Sequence, residues 1–330
     1  MPATVRYATR IYAPSAPIDR SDWRHRRKLF AKTRRSRLLY RRRCRVVPLA
    51  SERSSDSKLE MAPGTTVKLS KMYRMPAEFG PAPGPRNVPE DRSHLRYVKE
   101  ATVLGVTART DPKELAALLP ERCRLDGEPR IEVSVTCLTN VGWLAGRGYN
   151  IVMVRVPAVY TGREETLRGW FLLVVWESLA DPVLTGREEL GWPKLPAEVP
   201  PVEFFDGQWR GCASWQGYRF FDIEASGFEH AEPPVRTGAL LTHKYIPKTG
   251  SWGTADISYM AANGTEVPPK VQSFQCGSGR FAFHAARWED MPTQYPIVNR
   301  LAALPLDAFE TAFLMKTSGG GDLGSQRILR

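Results

Sequence analysis

A chain of 330 residues that is 42% hydrophobic and holds 9 Trp can bury a sizeable core, as one large domain or two small ones. Its net charge of +12 at first suggests a nucleic-acid or membrane partner, but 15 of the 47 Lys+Arg and only 2 of the 35 Asp+Glu fall within residues 1–50. That leaves 32 basic against 33 acidic residues elsewhere, so the body is near neutral and offers no phosphate-binding surface.

The five cysteines, Cys44, Cys123, Cys137, Cys212 and Cys276, are odd in number and form no CxxC pair. They read as free thiols in a reducing compartment, which points to the cytoplasm. The histidines are equally scattered, so neither residue type has metal-ligand spacing. The longest apolar run, Trp170–Trp176, is 7 residues, whereas a membrane helix needs about 20. Nucleic acid, membrane and metal are therefore not expected partners of the body.

In chain order, residues 1–60 carry RHRRKLF, KTRRSR and YRRRCR without sustained apolar periodicity, and are expected to lie outside the fold. Three readings stay open: a mitochondrial-type transit peptide, a basic nucleic-acid-binding arm, or an extension upstream of a true start at Met61. Residues 61–95 are Pro-rich and predicted to be extended. From residue 96 to 330 a single domain is expected. Strands are predicted at 102–109, 130–138, 149–160 and 169–176, the last buried on both faces. Between the first two, Asp111 is a candidate N-cap for a short helix, with Pro112 in its first turn. QWRGCASW and YRFFDIEASG, joined at Gln216-Gly217, suggest a hairpin. Further strands are predicted at 239–246, 253–260, 268–275 and 279–286, with a closing helix at 308–316. Many strands with few helices make a predominantly antiparallel α+β domain or barrel.

The stretch with unusual local physics is TGREELGWPKLPAEVP, residues 185–200. Pro193 fixes its own φ and biases Trp192 towards an extended conformation, and Pro196 stiffens the other side. A lysine framed in this way is either a surface residue in a proline-rich turn or an amine projecting into an apolar pocket. In a pocket, desolvation disfavours an ammonium, and a neutral amine attacks ketones.

GREELGWPK resembles the signature of the acetoacetate decarboxylase family, in which Gly-Arg-Glu precedes an aromatic-Pro-Lys. ARTDPKELAALLP, EPRIEVSV, LTHKYIPK and SGRFAFHAARWEDMPTQYPIV resemble flanking segments of that family in the same order, over about residues 96–305. The resemblance implies an acetoacetate decarboxylase-like barrel or cone with an internal pocket. Lys194 falls on the family's Schiff-base lysine. Glu132 falls on an acidic pocket residue, on a strand face expected to turn inward. Arg187 and Glu188 fall on the motif's arginine and glutamate, as substrate contacts or as supports of the loop.

Three positions depart from the pattern. Acetoacetate decarboxylase has a second lysine directly after the nucleophile, where this chain has Leu195; that enzyme is the standard example of a lysine activated by desolvation or a neighbouring cation. A second pocket glutamate would fall near Ile151 and is missing. An early pocket arginine would fall near Ala101, with Lys99 and Arg86 the candidate substitutes. With Trp192, Leu195 and Ile151 lining the site, these losses fit a larger or less polar substrate than acetoacetate.

The resemblance thus implies a lyase that needs no metal or organic cofactor, decarboxylating a β-keto acid through an iminium at Lys194, and the apolar substitutions suggest a polyketide-like or other secondary-metabolic keto acid. It also implies assembly into homo-oligomers. Two alternatives share the pocket: an aldolase or dehydratase acting through the same iminium, and a non-catalytic small-molecule-binding homologue.

Overall fold

The computed structural model describes residues 74–75, 84–85, 88–234, 238–264, 267–321 and 325–330, all within one compact unit spanning Val67–Arg330. The readings of residues 1–60, and most of those on 61–95, lie outside the described residues. The last part of the Pro-rich approach is a 3₁₀ turn at Glu90–Leu95 rather than an extended segment.

Among the described residues, fourteen strands form one mostly antiparallel sheet. They are β1 (Glu100–Thr110), β2 (Cys123–Leu125), β3 (Arg130–Thr139), β4 (Tyr149–Thr161), β5 (Thr166–Glu177), β6 (Lys194–Pro196), β7 (Glu203–Phe205), β8 (Gln208–Trp215), β9 (Tyr218–His230), β10 (Ala239–Pro247), β11 (Ala255–Asn263), β12 (Lys270–Phe283), β13 (Leu306–Ser318) and β14 (Gln326–Ile328). The main path runs β14-β11-β10-β5-β4-β3-β1-β13-β12-β9-β8-β7 and stays open between β14 and β7, with β2 attached to β4 and β6 to β5. Three short helices accompany it: α1 (Pro112–Ala116), α2 (Ala180–Thr185) and α3 (Tyr295–Ala302). The expected predominantly antiparallel α+β class holds, as an open sheet.

Local chemistry accounts for most elements. Asp111 caps α1, its side chain accepting from Lys113 N and Glu114 N at 2.8 and 2.9 Å. Gln216 and Gly217 both adopt positive φ, as a two-residue hairpin turn requires. β5 is largely buried on both faces, consistent with its unbroken apolar run.

Two predictions are corrected. The segments at 268–275 and 279–286 are one strand, β12, which pairs with β13 by its first half and β9 by its second. The helix predicted at 308–316 is β13. AFETAFLMK is rich in helix formers, but it completes ladders with β1 on one side and β12 on the other, and tertiary pairing overrides propensity. The helix in this region is α3, with a proline in its first turn.

Two apolar clusters flank the central strands. The larger takes Ile131, Val133 and Val135 from one face of β3; the smaller takes Leu138, Ile151, Leu172 and Val175, with Trp192 and Leu240 packed on it. A cavity opens beside the smaller cluster.

Candidate active site

β5 is the strand on which the site is built. Its first half pairs in parallel with β10 through Gly169, Trp170 and Phe171, and its end pairs in parallel with β6 through Val175, Trp176 and Glu177. Lys194 therefore lies beside Val175, and Glu177 is two residues further along the same ladder. On the opposite face of β5, Gln294 locks this arrangement. It accepts from Trp176 Nε1 at 2.7 Å and donates to Pro196 O at 3.2 Å, tying β5 to β6 from the core side.

The motif's own conformation delivers Lys194 to β6. After α2 the chain makes a π-helical turn over Gly186–Leu190, and Gly191 reverses it at φ +73°. A Cβ at Gly191 would also lie 2.7 Å from Lys244 Cβ. Lys194 N then donates to Trp192 O at 2.8 Å across Pro193, a three-residue turn suited to proline's fixed φ. Arg187 Nη1 donates to Lys194 O at 3.0 Å, so the motif's arginine holds the backbone of Lys194. Glu188 pairs with Arg74 at 3.5 Å, and its carbonyl accepts from Lys244 Nζ. Both motif residues brace the turn, and neither is part of the cavity wall.

Lys194 itself is 5% exposed and enters a cavity of about 360 Å³. Its Nζ lies 2.7 Å from Glu177 Oε1, donates to Pro182 O at 3.1 Å, and stands 4.9 Å from the Trp192 ring centroid. The contact with Glu177 is close but poorly directed: neither carboxylate oxygen accepts a hydrogen bond of ordinary geometry. Burial pushes the Glu177 carboxyl above its usual range, and the nearby ammonium only partly opposes the shift.

Gly186 is a site residue that the sequence reading passed over. The Lys194 stem crosses its Cα so closely that a Cβ there would lie 2.3 Å from Cδ and 2.4 Å from Cε. Gly186→Ala should displace the amine from Glu177. We expect covalent capture of a ketone by the variant to slow at least tenfold with the chain still folded, as read by borohydride-trapping rates alongside a thermal melt.

The expected pocket residues divide. Trp192 and Ile151 line the cavity, as do Ala101 and Lys99, whereas Arg86 lies outside the described residues. Leu195 points away from it, alternating with Lys194 along β6, and packs against the larger core cluster. Glu132 is buried, on an inward face as expected, but sits apart from the cavity. It accepts from Arg155 Nε at 2.9 Å, and the guanidinium stacks 4.7 Å from the Trp170 ring. The carboxylate that the structure brings to Lys194 is Glu177.

Glu177 stands directly across the β4–β5 ladder from Ile151, the position where a second pocket glutamate was missing. One strand over, a carboxylate reaches the same region of the cavity. Sequence reasoning missed it because it ends the apolar run of β5 and belongs to no local motif. Arg96 was also missed: it lines the cavity with its Nε buried and unpartnered. The Trp192 Nε1 is likewise a buried donor without an acceptor.

An open antiparallel sheet thus carries a buried, proline-positioned lysine facing a carboxylate in a largely apolar cavity. The comparisons place the chain more closely. The family model described as acetoacetate decarboxylase (ADC) matches residues 74–318, and the chain belongs to that family. Among solved structures, an acetoacetate decarboxylase aligns at 14% identity with a TM-score of 0.57, covering 71% of this chain and 89% of the other. The acetoacetate decarboxylase of Legionella pneumophila subsp. pneumophila str. Philadelphia 1 aligns at 17% identity with a TM-score of 0.55, covering 71% and 86%. The enduracididine biosynthesis enzyme MppR, in complex with the condensation product of pyruvate and imidazole 4-carboxaldehyde, aligns at 15% identity with a TM-score of 0.53, covering 70% and 88%. At these identities the likeness is one of fold. The comparison with curated proteins finds no match.

Proposed function

We propose that this protein is a Schiff-base-forming lyase that decarboxylates a β-keto acid at Lys194. The observation that carries the reading is the buried Lys194 Nζ at 2.7 Å from Glu177 within an otherwise largely apolar cavity.

In the proposed cycle Glu177 accepts a proton from the Lys194 ammonium, and the freed amine attacks the substrate ketone. The protonated carboxyl returns that proton to the carbinolamine hydroxyl, which leaves as water and yields the iminium. The carboxylate-bearing bond then breaks, its electron pair flows into the iminium, and carbon dioxide departs. The enamine left behind is protonated at carbon, and water releases the ketone and restores Lys194. Trp192 and Arg96, each with a buried side-chain nitrogen that has no acceptor, line the cavity that the substrate would enter.

A second reading, condensation or dehydration through the same iminium, is supported by the fold likeness to MppR. One experiment separates the readings. The protein is incubated with acetoacetate, with longer β-keto acids, and with pyruvate plus an aldehyde; one half is reduced with borohydride and the other is assayed for products. The proposal expects a reduced adduct on Lys194 and carbon dioxide from a β-keto acid. An adduct formed only with pyruvate, giving a condensed product, favours the second reading, and no adduct with any ketone defeats both.

A further inference from the structure

The cavity reaches well beyond the Lys194 amine. β5, β4, β3 and β1 are consecutive in the sheet. Glu177 of β5 pairs with Ile151 of β4, Tyr149 of β4 pairs with Leu138 of β3, and Leu138 pairs with Ala101 of β1. Ile151, Leu138 and Ala101 all line the cavity. Its wall therefore crosses three strand spacings from Glu177, on the order of 14 Å along the sheet at about 4.8 Å each. Acetoacetate, with its ketone at Lys194, would occupy only the first part of that length.

This wall is mainly hydrocarbon. Tyr149, Ile151 and Met153 take alternate positions on β4, so they share a face, and all three line the cavity. With Leu138, Ala101 and Trp143 they belong to the smaller apolar cluster. Ala101, Trp143, Tyr149 and Met153 are only half-buried, which leaves apolar surface that the fold itself does not cover. Thr136, opposite Ile151, adds a hydroxyl to the wall. Past Ala101 the lining turns polar: Ala101 pairs with Thr317, and Thr317 and Lys99 both line the cavity. A cavity of about 360 Å³ lies at the lower end of the range for small-molecule sites, which are likewise mostly apolar with a few placed polar groups.

We propose that the substrate is a β-keto acid with an unbranched hydrocarbon chain beyond its ketone, laid across β4 and β3 with its methyl end towards Ala101. This inference rests on the Schiff-base reading of Lys194 and adds to it the class of group that fills the rest of the cavity. Apolar burial supplies the recognition. Each methylene covered raises kcat/KM by about fourfold, the equivalent of about 0.8 kcal/mol. The rise ends where the chain meets Lys99 and Thr317, so the cavity also measures length. Ala101 and Trp143 determine that length. Ala101 is the small side chain at the far end of the wall, and Trp143 borders the same end from the turn Gly142–Leu144, which is tied to Val98 by Gly142 N donating to Val98 O at 2.8 Å.

The test runs a homologous series on the full chain: straight-chain β-keto acids from acetoacetate upwards, one methylene at a time, and the same acids ending in a carboxylate instead of a methyl group. The borohydride-trapping rate on Lys194, with the adduct located by mass spectrometry, and carbon dioxide release are read for each. Both are expected to rise about fourfold per methylene and then level off, with the methyl-ended acid ahead of its carboxylate-ended counterpart at every length. Ala101→Phe fills the far end and is expected to move the levelling-off point about two methylenes shorter. Trp143→Ala opens that end and is expected to move it longer, and because it lies in a turn it is read whether or not Ala101→Phe folds; thermal melts check both. The inference is overturned if the series is flat, if the carboxylate-ended acids are preferred, or if the levelling-off point stays fixed in the folded variants. In each of these cases adducts still form on Lys194 and the Schiff-base reading stands. Absence of any adduct overturns that reading and this inference with it.

Discussion

Lys194→Ala is expected to abolish covalent capture of ketones and to lower kcat/KM for the keto acid by on the order of 10⁴–10⁶, the scale seen when a covalent nucleophile is removed elsewhere. Lys99 also lines the cavity, so any residual adduct must be located by residue. The substitution also has a structural cost that must be separated from the chemical one. Glu177 is 1% exposed and keeps no other partner, and removing one member of a buried pair typically costs about 3–5 kcal/mol. The variant should therefore melt at a lower temperature than the unsubstituted protein. Adding Glu177→Gln removes the stranded carboxyl, so the double variant should recover much of the lost stability while recovering none of the activity. Thermal melts and mass spectrometry of borohydride-treated samples read the two effects independently. Undiminished decarboxylation by Lys194→Ala would remove the iminium from the mechanism.

The parts of this fold that were legible in the sequence are those whose signal is local. The strands β1 and β3–β5 announce themselves through runs of β-branched and aromatic residues, and α1 through Asp111 and Pro112. Lys194 was legible because its neighbours form a contiguous motif, and the same motif pointed to Arg187 and Trp192. What stayed hidden depends on register. Glu177 acquires its meaning only when β6 docks in parallel on β5 and brings residue 194 alongside 175. Nothing in WFLLVVWE marks its last residue as a site carboxylate rather than the polar end of a buried strand. Glu132 shows the converse. Its inward face was readable from alternation, but its partner, Arg155, lies across the β3–β4 ladder, and no spacing along β3 discloses that pairing. The 308–316 segment failed for the same reason, since its strand state comes from two neighbours distant in sequence.

Glu177→Gln is expected to separate the two functions of that buried carboxyl. In the proposed cycle it accepts the proton that Lys194 must lose, so the neutral amide should lower kcat/KM by about 10²–10⁴, the usual contribution of a positioned general base. The pH profile should change as well. Burial raises the Glu177 carboxyl above 4.5, so the acid limb of kcat/KM should lie above the ordinary carboxylate range and should be missing from the variant's profile. The same shift enters stability with a definite sign. Because the folded value is the higher one, the folded state holds the proton more tightly than the unfolded chain. The carboxyl's contribution is complete below about 4.5 and is lost as pH rises through the folded value. Denaturant melts should therefore show the unsubstituted protein losing stability relative to Glu177→Gln across that window. A purely structural carboxyl would move the melts and leave the acid limb of the rate profile where it was. An unchanged kcat/KM with an unchanged acid limb in Glu177→Gln would exclude the carboxyl from proton transfer and leave Lys194 to be activated by its apolar surroundings alone.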